Sequence, residues 1–241
     1  MNQGAIRIMI GLFAAAVGAA ATVAVMAGGT PVATNDRAAI EKIVREYILA
    51  HPEILPEAMD NLRARETAKV VNSNRKALET PFAGAWEGAA DADVTIVQFF
   101  DYNCGYCRAS LPDIEKLIAA DKRIRVVYRE LPVLGPDSEN AARISLAAAK
   151  AGKYAAFHRA VYAAGQPEPR TVERIAKGLG VDLAFASDPA ATAEIDANLG
   201  LARPLQITGT PAWVIGDRTL SGAVGYDALK EAMHSAFAAQ I

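Results

Sequence analysis

The chain has 241 residues, 52% of them hydrophobic, with 25 Lys and Arg against 27 Asp and Glu for a formal net charge of −2. That length suits one domain, or one domain with a smaller attachment, and the apolar share can bury a sizeable core. No run of Lys or Arg stands out, so the concentrated basic face that phosphate binding requires is missing and no nucleic-acid partner is expected.

Residues Ile8 to Gly29 carry no charge, and Arg7 is the only basic residue before them. Residues 1–29 therefore read as an export signal whose amino end stays in the cytoplasm. Val25-Met26-Ala27 offers small residues at the spacing a signal peptidase accepts. An uncharged stretch of 22 residues also reaches across a bilayer, for which about 20 suffice. A cleaved signal and a retained inner-membrane anchor both fit. Either one places the rest of the chain in a periplasmic or other extracytoplasmic space.

After a short polar linker, Asp36 is expected to cap a helix running to about Ala50, with Ile40, Ile43, Val44, Tyr47 and Ile48 at helical spacing. Pro52 and Pro56 interrupt it, because each disfavours helix in the residue before it. A second helix is expected from about Pro56 to Leu78, with Met59, Leu62 and Val70 on an otherwise polar surface. Neither helix buries itself alone. Residues 35–79 thus read as an arm that packs on the main domain or on another copy of the chain, a self-associating surface over residues 36–79.

From Pro81 the texture changes. Val94-Thr95-Ile96-Val97-Gln98-Phe99-Phe100 is nearly continuous in apolar and β-branched residues, as expected of a buried central strand. Asp101-Tyr102-Asn103 ends it, a helix follows from Cys104 to about Ala120, and Ile124 to Leu131 is the next strand. Strand, helix and strand in this order imply parallel pairing through a crossover. A helical region then lasts to roughly Arg203, with helices near 137–151, 153–164, 171–178 and 189–201. Strands return at Ala212–Ile215 and Arg218–Ser221, and a last amphipathic helix runs from Tyr226 to about Ala239. Residues 81–241 read as one α/β domain with a helical insertion.

The two cysteines of the chain are Cys104 and Cys107. A bridge across so short a span closes too small a loop to stabilise a fold, so the pair points to chemistry. Cys104 opens a helix, where unpaired N–H groups and the helix dipole favour negative charge on its sulfur. The thiolate is the attacking form, and a stabilised thiolate is also a good leaving group. Cys107 lies one turn further in. The expected division is an exposed nucleophile at Cys104 and a shielded, resolving thiol at Cys107. A zinc site is poorly supplied by two cysteines and three scattered histidines, His51, His158 and His234. A soft metal such as Cu(I) held by the two thiols is the alternative from a different class. Glu130 reads as a solvated carboxylate at a strand end, His158 as a packed helix histidine and Trp213 as core.

Immediately before the strand Ala212–Ile215 stands Ile207-Thr208-Gly209-Thr210-Pro211. With Gln98-Phe99-Phe100-Asp101 leading into Cys104-Gly105-Tyr106-Cys107, and with the helical insertion, this Thr-Pro resembles the DsbA-like branch of the thioredoxin superfamily. The likeness runs from about Pro81 to the C-terminus. It implies a thioredoxin-like fold and thiol–disulfide exchange on exported client proteins with cysteines. It further implies a membrane redox partner that resets the site, and no metal or organic cofactor. It makes Cys104 and Cys107 catalytic, Pro211 a cis proline facing them, and Thr210 a main-chain partner for an extended client. Gly105 and Tyr106 would tune the thiolate. Strongly oxidising relatives have Pro-His between the cysteines, and many carry a buried acid where Gln98 stands. Gly-Tyr with Thr before the proline is more similar to the DsbC-type isomerases, and the N-terminal helices resemble the oligomerising arm of ScsC-like proteins.

Overall fold

The computed structural model describes residues 34–239, and the export segment expected over residues 1–29 lies outside them. Among the described residues no helix is long and apolar enough to cross a membrane. They divide into two compact units between Met59 and Asp60.

The first unit holds helix α1 (Thr34–Ala50) and the start of α2 (Ile54–Glu79). Asp36 lies inside α1 rather than capping it, because the helix begins two residues earlier. Pro56 sits in the first turn of α2, where a missing N–H has no intrahelical partner to lose. Of the apolar residues expected on α1, Ile40, Ile43, Val44 and Tyr47 are exposed and Ile48 is partly buried.

The second unit is built on strand β2 (Val94–Phe100), which is buried at all seven positions. It pairs in parallel with β3 (Ile124–Glu130) on one side and antiparallel with β4 (Ala212–Ile215) on the other. Outside these lie β1 (Trp86–Gly88) and β5 (Arg218–Ser221), giving the order β1-β3-β2-β4-β5. Strand β1 spans three residues, too few to leave an alternation in the sequence. The α/β fold is thus the thioredoxin-like one expected. Successive side chains of β2 face opposite ways. Ile96 and Phe100 pack with helices α3 (Gly105–Ala120), α5 (Tyr154–Ala164) and α8 (Gly225–Ala238). Val97 and Phe99 pack with Val71 and Leu78 of α2 and Ala202 of α7 (Pro189–Ala202). The end of α2 is therefore core of this unit. The helical insertion between β3 and β4 comprises α4 (Pro136–Lys150), α5, α6 (Pro169–Gly178), a short 3-10 turn (Leu183–Ser187) and α7.

The last two residues of β3 carry charge into both layers. Arg129 is 4% exposed. It donates to the carbonyls of Ala77, Leu78 and Thr80, which end α2, and to Glu194 at 3.0 Å and Asn198 at 3.3 Å on α7. Carbonyls at a helix end have no intrahelical donors, so Arg129 supplies them. Burial pulls Arg129 down and pushes Glu194 up, so desolvation outweighs their attraction at both partners.

Glu130 corrects an expectation. It is 2% exposed, and its Oε1 has no hydrogen-bond partner. The parallel register sets it beside Phe100, so it points into the layer under the insertion instead of into water. Burial pushes its carboxyl well above the ordinary range, with the Ser145 hydroxyl opposing and the Asp101 charge reinforcing.

Two outcomes follow from these residues. Arg129→Ala removes one member of a buried pair and should cost about 3 kcal/mol or more, read from urea unfolding. For Glu130 the native state favours the protonated form. Its contribution is intact below the unfolded-state pKa and is lost as pH rises through the folded one. Glu130→Gln should therefore match the parent near pH 4 and exceed it in urea midpoint near pH 8.

Candidate active site

Strand β2 ends at Phe100, and Asp101 turns the chain toward α3. The Asp101 side chain is 1% exposed. Its Oδ1 accepts the Asn103 N–H at 2.8 Å, and its Oδ2 accepts those of Val133 at 2.9 Å and Leu134 at 3.0 Å. One carboxylate thus ties the loop before the cysteines to the loop after β3. The Cys104 N–H donates to the Asp101 carbonyl at 3.1 Å and completes the turn.

Cys104 occupies the N-cap of α3, with extended backbone at φ −84° and ψ 112°. Its Sγ accepts the Cys107 N–H at 3.4 Å, the bond that a Ser or Asp oxygen makes at this position in other helices. On its other side the thiol donates to the Thr210 carbonyl at 3.2 Å. The Thr210–Pro211 peptide is cis, and Pro211 leads straight into β4. The pairing of Ala212 with Phe99 anchors that loop to the same strand that delivers the cysteines. Residues some hundred positions apart in sequence therefore meet at one sulfur.

The cysteines are free thiols and both are buried. Cys104 is 5% exposed and Cys107 1%. The exposed nucleophile expected from the sequence is thus a buried residue, with the Thr210 carbonyl against its sulfur. Burial pushes the Cys107 thiol up, the largest influence on it. Gly105 opens α3 with free space around its Cα. Tyr106 projects outward at 71% exposure.

Beneath the pair lies a polar and aromatic cluster in which His158 is the packed helix histidine expected, while its partners Tyr102 and Ser145 come from distant parts of the chain. The Tyr102 hydroxyl is 3.0 Å from both Ser145 Oγ and His158 Nδ1, and the Tyr162 hydroxyl donates to the Asp101 carbonyl at 3.1 Å. Phe100 meets Tyr102, His158 and Tyr162 edge-on. Burial, with the neighbouring Arg159 charge, pulls His158 down to about 3, so it stays neutral and serves as packing. Tyr154, His158 and Tyr162 recur every four residues and so share one face of α5. Burial raises Tyr162, and the proximity of Cys107 adds to the effect. Gln98 is buried with Oε1 lacking a partner. Trp213 is core, its Nε1 donating to the Gly222 carbonyl at 3.0 Å. Among the described residues no three His, Cys, Asp or Glu are grouped to hold a metal ion.

Comparison with known proteins agrees with this geometry. A family model described as the DSBA-like thioredoxin domain matches residues 95–234, and one described as the copper resistance protein ScsC N-terminal domain matches residues 36–69. A thioredoxin-like oxidoreductase from Silicibacter pomeroyi is 41% identical, with 68% of this chain and 97% of that one aligned at a TM-score of 0.64. A linker-deletion mutant of ScsC from Proteus mirabilis is 29% identical, covering 88% of this chain and 99% of its own at a TM-score of 0.68. A periplasmic thioredoxin-like protein from Salmonella enterica serovar Typhimurium is 30% identical over 69% of this chain and 97% of that one, with a TM-score of 0.64. The chain spans 24% of the length of the curated relatives it matches, such as the Na+/H+ antiporter NhaA 3 of Salinispora tropica, 29% identical over 158 residues. With the first family model covering more than half of the sequence, the chain belongs to the DSBA-like thioredoxin family and has the fold of its disulfide oxidoreductases.

Proposed function

We propose that this protein carries out thiol–disulfide exchange on cysteines of exported proteins, with Cys104 as the sulfur that meets the client and Cys107 as the resolving thiol. The observation that carries the reading is the position of Cys104 Sγ, at a helix N-cap between the Cys107 N–H and the Thr210 carbonyl. In the oxidising direction a client thiolate attacks Cys104 of a Cys104–Cys107 bridge. The S–S bond breaks, Cys107 leaves as thiolate and takes up a proton, and its burial favours the protonated product. A second client thiolate then attacks the client sulfur of the mixed disulfide and expels Cys104. The client loses two electrons and the enzyme gains them. In the isomerising direction reduced Cys104 attacks a wrong client disulfide and is expelled after reshuffling, with no net redox change.

Thr210 and Pro211 receive the extended client beside the bond being exchanged, and Gly105 and Tyr106 tune the thiolate. The setting is extracytoplasmic, supported by the uncharged segment Ile8–Gly29 and by the periplasmic relative. A membrane redox partner resets the cysteines. Residues 36–79 associate with other copies of the chain, supported by the exposed Ile40, Ile43, Val44, Tyr47, Met59 and Leu62 and by the ScsC N-terminal match. That same match favours a second reading, in which the two thiols carry Cu(I) for copper tolerance.

One substitution separates the readings. Cys107→Ala should accumulate mixed disulfides between Cys104 and client proteins, visible as adducts on non-reducing gels that dithiothreitol dissolves, while Cys104→Ala should accumulate none. A Cys107→Ala protein that traps nothing and only loses Cu(I) affinity would favour the carrier.

A further inference from the structure

The hairpin of β4 and β5 has an unused side. Its register sets Ala212 opposite Ser221, Trp213 opposite Leu220, Val214 opposite Thr219 and Ile215 opposite Arg218. The Gly222 N–H donates to the Pro211 carbonyl at 2.8 Å, and this bond fixes the phase of the ladder. Antiparallel partners alternate between pairs that exchange hydrogen bonds and pairs that do not. With Pro211 and Gly222 bonded, Trp213–Leu220 and Ile215–Arg218 are the bonded pairs. The N–H and C=O groups of Thr219 and Ser221 therefore point away from β4. No strand lies beyond β5 in the sheet, and no backbone group among the described residues bonds them.

The same two residues line a groove. Ala212 and Val214 face the layer that holds α2, so their partners Thr219 and Ser221 face it too. There a cavity of about 450 Å³ lies between these two residues, Thr67 and Val70 of α2, and Leu205 and Ile207. Unused main-chain donors and acceptors beside such a groove suit an extended peptide, whose backbone adds a strand while alternate side chains enter the groove. Short as it is, β5 has neither a proline nor a break in register to blunt its edge. The edge is also continuous with the exchange site, because Ser221 pairs with Ala212, the residue after Pro211. A strand laid on β5 stands two strand spacings, about 10 Å, from β4. About four extended residues cross that distance.

We propose that the free edge of β5 and its groove hold an extended client segment that follows the reacting cysteine in sequence. The inference rests on the exchange reading and gives the same client a second grip. Strand β5 runs toward the Pro211 end of the hairpin, so a client chain that leaves the cysteine and descends along β5 pairs antiparallel to it. Recognition through main chain tolerates many sequences and demands a segment that is not yet folded.

The test uses the full-length chain in its disulfide form and three reduced peptides with the same two cysteines. One ends soon after the cysteines. The second adds an arm of alternating Thr and Val, begun about four residues after the last cysteine, and the third has that arm N-methylated at every amide. The plain arm should raise kcat/KM for oxidation about tenfold, and methylation should abolish the gain. Thr219→Pro/Ser221→Pro removes two N–H groups that the β4 ladder does not use, and should lose most of the gain. No gain in the parent, a methylated arm that keeps it, or a gain intact in the double variant would overturn edge pairing and leave exchange standing. No gain together with a lower solution mass for the double variant would assign the edge to a second copy of the chain instead. The parent comparison needs no variant to fold. If the parent oxidises none of the peptides, the exchange reading itself fails.

Discussion

A single sulfur caught between two main-chain groups organises this molecule. The N–H of Cys107 reaches Cys104 Sγ from within the helix, and the Thr210 carbonyl reaches it from the start of β4. Both groups belong to the main chain, one in the first turn of α3 and the other in the loop that enters β4. The strand between them, β2, supplies the constraint. It is buried on both faces, its end sets where α3 begins, and its antiparallel partner β4 sets where the Thr210–Pro211 turn must lie. Preorganisation of this kind lowers the cost of bringing reacting sulfurs together, since no segment has to be ordered at the moment of attack.

The polar interior around the site divides into groups that are satisfied and groups that are not. Asp101 is satisfied three times over by backbone N–H groups and behaves as a structural bracket. Tyr102, Ser145 and His158 satisfy one another within a shell of aromatic rings. Glu130 and Gln98 each keep a buried oxygen without a partner, an arrangement that costs folding free energy. Placing these groups on the cysteine side of the sheet, while Arg129 neutralises the opposite layer through α2 and α7, separates the reactive half of the core from the half that holds the fold together.

Much of this was legible in the sequence because it rests on local patterns. The apolar run Val94–Phe100 identifies a buried strand, and two cysteines three residues apart at a helix start identify a redox pair. Thr210-Pro211 before a short strand reads alone as a strand edge, and the resemblance to the DsbA-like branch is what implies a loop facing that pair. The three-residue β1 escaped because it is too short to show a period. Glu130 was misread because a charged residue at a strand end is solvated unless another layer covers it. That layer is an insertion whose docking is a tertiary event. The bracket made by Asp101 joins positions 32 and 33 residues apart, and no spacing rule reports it. The hydrogen bond from the Cys104 thiol likewise goes to a carbonyl 106 residues away.

The two thiols are unequal by position, Cys104 at the mouth of α3 and Cys107 one turn within it. This can be read directly by exposing the reduced full-length chain to limiting iodoacetamide at neutral pH, digesting it, and locating the adduct by mass spectrometry as a function of time. Cys104 should be modified first, with Cys107 remaining free until denaturant is added. Equal modification of the two, or Cys107 ahead of Cys104, would contradict the assignment of the attacking sulfur.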